Sequence, residues 1–246
     1  MRLTQSAGAL AVVVIALSAC ATPRSSQPGA ADPSPTPTDN GISVLSAADI
    51  AHRAIQALDV GTSVHVKGFV SDEGESAMSF DVVKQDATDG RATLTAGGQT
   101  VEIIRVGDYD YAKASASFWA SYGPGSVVSK AGAARAEGKY VKASHSGLKL
   151  ATLSKFLDLP LVVKQELGEE HDLVKGGQQV INGVPTIALT APDAGTIYIA
   201  TVGPPDVIRV TSPGGGSDGI ESFSGYLATV TVEVPPADQV IDIASL

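Results

Sequence analysis

Residues 214–219 are the first stretch whose spacing could carry chemistry. They match the G-x-G-x-x-G spacing of dinucleotide-binding loops and, in part, the G-x-S-x-G spacing of an esterase nucleophile with Ser217 at its centre. Both motifs need a helix directly after the turn, whereas residues 220–223 lead toward another strand. The esterase motif also needs a later histidine, and the last histidine is His171. We therefore interpret the stretch as a hairpin loop.

Ligand-type side chains also cluster at Glu169–Asp172, which includes His171. A metal site needs groups that share one face, with partners from elsewhere in the fold, whereas consecutive residues at a helix end point in different directions. This pattern is typical of a solvated acidic turn. The other histidines, His52, His65 and His145, stand alone among surface-type neighbours.

Three aromatic residues, Tyr109, Tyr111 and Trp119, suit either of two roles. They could form a rim that holds an amphipathic ligand, or they could fill the core and its strands. No acid–base pair or nucleophile–base pair stands out in the sequence, so we expect no enzyme, no catalytic residue, no metal site and no cofactor.

Cys20 is the single cysteine, and its surroundings predict the location of the protein. A basic start at Arg2 and an uncharged apolar run over Ala7–Leu17 precede it, which is typical of an export signal. The segment Leu17–Cys20 resembles the lipobox of bacterial lipoproteins. That resemblance implies a diacylglyceryl group on the Cys20 thiol and cleavage before it, so that residues 1–19 form the signal peptide.

Composition limits the remaining functions. The chain holds 26 acidic against 17 basic side chains, and this net charge of −9 disfavours nucleic acid and anionic membrane surfaces as partners. No second cysteine is present to form a disulfide, so the fold must rest on buried apolar area. Residues 20–41, rich in Pro, Ser and Thr, predict a disordered linker, and 42–246 predict one domain.

The periodicity of the domain changes along the chain. Ser46–Leu58 predicts a helix with Ser46 as its N-cap, and Gly61 ends that segment. Alternating runs then predict antiparallel strands joined by short turns. These strands are expected near residues 64–70, 78–82, 92–95, 101–106, 109–112, 140–142, 174–181, 184–189, 196–201, 207–211 and 226–234.

Between the two runs of strands, residues 115–173 predict a helical insert. Gly123–Gly125 reads as loop and Ala131–Gly138 as a weak helix, while Pro160 is expected to separate helices at 148–157 and 161–167. Asn182-Gly183 predicts a tight hairpin, and Pro185 favours an edge strand or a strand start. The order indicates an α+β fold, in which a large curved antiparallel sheet, a half-barrel, has helices over its concave apolar face.

The whole layout resembles the actinobacterial LppX/LprG group of lipoproteins, whose fold is similar to that of the carriers LolA and LolB. The resemblance covers residues 42–240 in addition to the lipobox and the linker. It rests on Ser63–Gly68 after the first helix, Val106–Tyr111 ahead of Trp119, Ile181–Val184, and Ala228–Val234. It implies a half-barrel with a hydrophobic cavity for the acyl chains of lipid or lipoglycan, and it implies no catalytic residues.

Ligand-lining positions follow only from the phase of the predicted strands. On that basis we expect nine apolar side chains to face the cavity. They are Val64, Val66, Met78, Phe80, Val82, Ile197, Ile199, Val230 and Val232.

Two functions remain open. The first is a monomeric lipoprotein, exported and anchored to the outer face of the cell membrane through Cys20, that carries lipid or glycolipid within the cell envelope. The second is a non-enzymatic envelope scaffold or interaction protein, in which large helix side chains fill the same hollow. A cavity in the structure would distinguish them.

Overall fold

The computed structural model of the chain describes residues 38–60, 63–72, 77–121, 128–145, 150–168, 173–191, 195–212 and 217–246. The predicted signal peptide, Cys20 and most of the predicted linker lie outside these residues. So do Gly61, the predicted loop at Gly123–Gly125, the Glu169–Asp172 cluster and the glycines at 214–216. In the described part of the chain, no helix is long and apolar enough to span a membrane.

The described residues form twelve strands and five α-helices. The strands are β1 (Val64–Asp72), β2 (Met78–Lys84), β3 (Gly90–Ala96), β4 (Gln99–Val106), β5 (Tyr109–Lys113), β6 (Tyr140–Ser144), β7 (Val174–Ile181), β8 (Val184–Ala191), β9 (Gly195–Ala200), β10 (Val207–Ser212), β11 (Ser217–Ser224) and β12 (Val240–Asp242). The helices are α1 (Ala47–Val60), α2 (Ala116–Ser121), α3 (Lys130–Ala136), α4 (Ala151–Ser154) and α5 (Leu159–Gly168). Short 3-10 segments lie at Ile42–Val44, Lys155–Asp158, Ala237–Gln239 and Ile243–Ser245.

All twelve strands belong to one sheet, in the order β12-β6-β5-β4-β3-β2-β1-β11-β10-β9-β8-β7. Two meanders, β1 to β6 and β7 to β11, meet where β1 pairs antiparallel with β11. Only the short β12, beside β6, adds a parallel pair among the described strands. The predicted α+β fold with a large, mostly antiparallel sheet is confirmed.

Helix α1 begins where the sequence predicts. The Ser46 hydroxyl accepts a hydrogen bond from the amide of Asp49 at 3.2 Å and donates one to the Asp49 carboxylate at 2.6 Å, which caps the first turn. Ile50, Ala51 and Ala54 are buried on one side of the helix, so its apolar stripe packs into the core. Helix α1 also packs against α5.

The hairpin at Asn182-Gly183 is confirmed. Both residues have positive φ, 51° and 83°, as a two-residue turn between twisted strands requires. Pro185 is the second residue of β8, a strand between β7 and β9, so it occupies a strand start.

The C-terminal strand prediction is wrong. Residues 226–234 form no strand, although their valines alternate as a half-buried strand would. The place beside β1 is taken by β11, Ser217–Ser224, which partly covers the stretch interpreted as a hairpin loop. With β1 already paired on both sides, residues 226–234 are held by other contacts, since the Val232 amide donates to Gln85 Oε1 at 2.7 Å. Val230 and Val232 therefore lie on no strand.

Pro160 does not separate two helices as predicted. It is the second residue of α5, where a missing N–H costs little because the first turn has few internal acceptors. The helix predicted at 148–157 is a single turn, α4, followed by the 3-10 segment Lys155–Asp158.

The folded domain also begins slightly before residue 42. Asp39 forms a bridge with Val202, and the Asn40 amide donates to the carbonyl of Thr201 at 2.8 Å. The last residues of the predicted linker therefore contact the sheet.

Candidate functional site

The inner face of the sheet is the face that packs against the helices. Alternate residues of the strands point to it, as the burial of Phe80 and Val82 on β2 and of Val101 and Ile103 on β4 shows. Helix side chains cover much of this face. Those in the same core include Ile50, Ala54, Leu150, Leu153, Leu157, Val163 and Leu167.

Most of the nine predicted lining residues lie in this packed core. Val64, Val66, Phe80, Val82, Ile197 and Ile199 are buried there, and Met78 is half-buried against them. Val232 is buried and Val230 half-buried on the segment that follows β11. The strand phase of the first seven was thus predicted correctly. Of the nine, Val64 is the one that borders the cavity described next.

That cavity, of about 360 Å³, lies at the end of the inner face where β1 begins and β2 ends. Its volume falls in the lower part of the range of small-molecule sites, ~300–1,000 Å³. Helix α1, the 3-10 segment Lys155–Asp158 and α5 complete its walls. The apolar lining is Leu58, Val64, Ala87, Leu157, Pro160, Leu161 and Tyr226.

Tyr226 lines the cavity, and its hydroxyl group is hydrogen-bonded to the backbone of a neighbouring strand. The hydroxyl donates to the carbonyl of Val207 at 2.6 Å, at the start of β10. Burial, together with the nearby Asp206 carboxylate, raises the pKa of Tyr226, so the phenol stays neutral. The ring is thus an apolar wall with its polar end satisfied.

Four charged side chains also line the cavity, namely Lys84, Asp86, Asp158 and Lys164. Asp86 belongs to the β2–β3 turn, where its Oδ1 accepts from the amides of Thr88 and Asp89 at 2.9 and 2.8 Å. Burial raises the pKa of Asp86, but these hydrogen bonds outweigh it and lower the pKa to about 2. The carboxylate is therefore ionised and engaged with its own turn.

The Asp158 carboxylate forms an ion pair with Arg105, which like Lys84 is a buried cation on the inner face of the sheet. Arg105 Nη1 donates to Asp158 Oδ1 at 2.8 Å, and Arg105 Nε donates to Asp110 Oδ1 at 2.9 Å. Arg105 Nη2 also donates to the carbonyl of Ser154 at 3.2 Å. Arg105 and Asp110 are only 3% and 2% exposed. This network fastens α4 and the 3-10 segment to β4 and β5.

A larger groove of about 570 Å³ lies on the outer face of the sheet. Its lining includes His65, Lys67, Asp81, Arg91 and Glu102. Two of these side chains contact Asp81, His65 Nε2 at 2.6 Å and Lys67 Nζ at 2.8 Å. No helix residue is among the lining of this groove, whereas the inner cavity is bordered by α1 and α5 and shares Val64 and Leu157 with the apolar core, so we take the inner cavity as the candidate site.

Of the two roles open to the three aromatic residues, the structure favours filling of the core and its strands over a ligand rim. Trp119 is fully buried in the core and Tyr111 is buried, while Tyr109 is exposed with the Lys142 ammonium 3.6 Å from its ring centre. These residues support the strands and helices around them.

The Glu169–Asp172 cluster and the glycines at 214–216 lie outside the described residues. No group of metal-ligating side chains occurs in the described ranges. Strand β10 precedes the 214–219 motif, and its antiparallel neighbour β11 begins at Ser217 within it, so a strand stands where both the dinucleotide and the esterase motif require a helix.

Sequence reasoning missed Lys84 and Arg105. Each continues the inward phase of an apolar strand, Lys84 after Phe80 and Val82, and Arg105 after Val101 and Ile103. The sequence signal for both residues was a charged side chain at a strand position where the alternation predicts a buried apolar one.

Several solved structures are similar to the chain at low sequence identity. LprF from Mycobacterium bovis is 16% identical, with a TM-score of 0.50 over 78% of this chain and 97% of that one. The lipoprotein LppX from Mycobacterium tuberculosis is 18% identical, with a TM-score of 0.48 over 76% and 98%. A LolA superfamily protein from Nitrosomonas europaea is 11% identical, with a TM-score of 0.26 over 79% and 96%.

No protein-family model matches the sequence, and a search of curated proteins gives no significant match. The likeness to LprF spans nearly all of that protein and shows a shared fold at low identity. The resemblance to actinobacterial lipoproteins of the LppX/LprG group is therefore confirmed in the fold of the domain.

Proposed function

We propose that this protein is a membrane-tethered lipoprotein that binds the acyl chains of a lipid or glycolipid and carries them within the cell envelope. The observation that carries this proposal is the cavity between β1, β2 and α5, which continues the apolar inner face to the surface. The fold shared with LprF and the resemblance of Cys20 to a lipobox cysteine support it.

Burial of methylenes alone is enough to hold such a ligand. Each buried methylene contributes ~0.8 kcal/mol, so an acyl chain needs no specific polar contact to bind. The cavity is small for a lipid with two long chains. Because the 3-10 segment Lys155–Asp158 and α5 form one wall, their outward movement is the route by which we expect the cavity to enlarge.

We further propose that the Cys20 thiol carries the lipid anchor and that residues 21–37 connect the anchor to the domain. The proposed role of this segment is to hold the folded domain clear of the membrane surface, by ~25 Å if it behaves as a random coil. The role is non-enzymatic and the protein acts as a monomer in this proposal.

One observation favours the alternative role of an envelope scaffold without a ligand. Leu153, Leu157 and Leu167 are buried against the inner face, so the helices already fill most of the hollow. Under that alternative the remaining cavity holds water.

A matched pair of substitutions on α5 separates the two roles. Leu161 lines the cavity and is 50% exposed, whereas its neighbour Val162 is 41% exposed and is absent from the lining. We expect Leu161→Glu to weaken binding of a pyrene-labelled diacylglycerol about tenfold, because a carboxylate in the wall disfavours apolar chains. Val162→Glu should leave this affinity unchanged.

Both variants replace exposed side chains, so their thermal unfolding should match that of the unmodified protein. A probe that fails to bind the unmodified chain, or that responds equally to both substitutions, would support the scaffold role instead.

A further inference from the structure

Lys84 is a buried cation in the wall of the cavity, which is otherwise lined by seven apolar and three charged side chains. It is the last residue of β2, on the inner face, and is 5% exposed. Leu157 and Leu161, from the helical side, line the same cavity. A ligand that fills this cavity therefore lies beside apolar side chains and beside the Lys84 side chain.

The ammonium of Lys84 is incompletely satisfied. Its Nζ donates to the carbonyl of Thr88 at 2.8 Å, but no carboxylate among the described residues lies within 4.0 Å of it. A lysine ammonium has three donors, and a buried charge is unfavourable unless it is paired. Burial, followed by the nearby Arg105 guanidinium, lowers the pKa of Lys84.

The two carboxylates that line the cavity are engaged by other donors. Asp158 receives the Arg105 guanidinium at 2.8 Å, and Asp86 receives the amides of its own turn. Neither is in ion-pair contact with Lys84. Lys164, one turn after Leu161 on α5, adds a second cation to the lining.

We propose that Lys84 binds the anionic headgroup, phosphate or carboxylate, of an acyl lipid whose chains occupy the cavity. This inference rests on the proposed function and adds the class of ligand to it. The anion would accept from the remaining ammonium donors, while the chain lies against Leu157 and Leu161. An anion would make the direct ion pair with Lys84 that no carboxylate among the described residues makes, since Asp86, Asp89 and Asp158 act on its charge only from a longer distance.

A comparison of two lipids with identical acyl chains tests this site. Phosphatidic acid and diacylglycerol are each used to displace the pyrene-labelled diacylglycerol from the full chain, with inorganic phosphate as a third competitor. We expect phosphatidic acid to bind about tenfold more tightly than diacylglycerol, as a charge-assisted hydrogen bond at a buried site allows. Lys84→Met should remove this preference, so that the two lipids bind the variant with equal affinity.

Lys67→Met is the matched control, because Lys67 lies on neighbouring β1 but on the outer face, beside Asp81. It should keep the preference for phosphatidic acid. Equal affinity of the unmodified protein for the two lipids, or a preference that survives Lys84→Met, would overturn the headgroup site. If neither lipid displaces the probe because the probe itself does not bind, the proposed function fails as well.

A second measurement needs no variant. Reductive methylation of the unmodified protein, read by peptide mass spectrometry, should label Lys84 less when phosphatidic acid is bound than when diacylglycerol is bound. Equal labelling with both lipids contradicts the proposal. Equal protection by inorganic phosphate would assign the site to a free anion and overturn its role as a lipid headgroup site.

Discussion

Arg105 and Lys84 are both buried cations at inward-facing strand positions, but they differ in how their charges are paired. Arg105 is paired with Asp110 and Asp158 and also donates to the carbonyl of Ser154, so its charge is fully used inside the protein. Lys84 has a single carbonyl partner among the described residues. We therefore assign Arg105 to the stability of the fold and Lys84 to the ligand.

The first prediction concerns Arg105. Arg105→Met should lower the free energy of unfolding by ~3–5 kcal/mol, because it leaves the buried Asp110 carboxylate without its cation. Denaturant unfolding measures the loss. Lys67→Met removes a cation that is largely exposed and should cost at most ~1 kcal/mol. Equal effects of the two substitutions would show that the buried network contributes no more than a surface pair.

At the scale of elements, periodicity and turn chemistry predicted most strands, α1 and the hairpin at Asn182-Gly183. The failures have physical causes. The alternating valines of 226–234 satisfy a strand pattern, but the position beside β1 is filled by β11, a segment with more polar residues. Strand pairing of this kind is decided by tertiary contacts, which local preference does not contain.

The candidate site was predicted less well than the fold. The alternation of residues along β1, β2 and β9 correctly predicts that seven side chains face inward. It does not show which of them contact a helix side chain and which border a cavity. That depends on where α5 begins. The start of α5 at Leu159, with Pro160 inside its first turn, was not predicted, and it brings Leu161 to the cavity.

The second prediction concerns the contact between the two meanders. A Cβ added at Gly68 on β1 would overlap the carbonyl oxygen of Ile220 on β11 and lie 2.7 Å from the Phe80 ring. Gly68→Ala should therefore cost ~1–3 kcal/mol of unfolding free energy. Gly177→Ala, on the edge strand β7, meets nothing within 4 Å and should change it by less than ~0.5 kcal/mol. If thermal unfolding shifts equally in both, close approach at Gly68 does not constrain the sheet.

At the scale of the whole molecule, charge and attachment are linked. The net charge of −9 repels anionic headgroups from the protein surface. A lipid on Cys20 would hold the domain at the membrane in spite of this repulsion, while Lys84 offers a local positive site inside the cavity.

The third prediction concerns that attachment. Cys20→Ala should move the protein from the membrane fraction to the soluble fraction, because acylation needs the thiol. The thermal unfolding temperature should stay unchanged, since the domain begins near residue 39. Ser26→Ala, in the predicted linker, is the control and should leave the protein in the membrane fraction. Loss of folding in Cys20→Ala would show that Cys20 is a structural residue.

The most direct test of lipid carriage is the identity of what the protein binds in the cell. The full chain with Cys20→Ala is purified without detergent, its organic extract is analysed by mass spectrometry, and the Leu161→Glu form of the same chain is treated in parallel. We predict a stoichiometric acyl lipid with an anionic headgroup, depleted by Leu161→Glu. An extract without lipid, or one that is identical for the two proteins, would contradict the proposal that the cavity carries lipid.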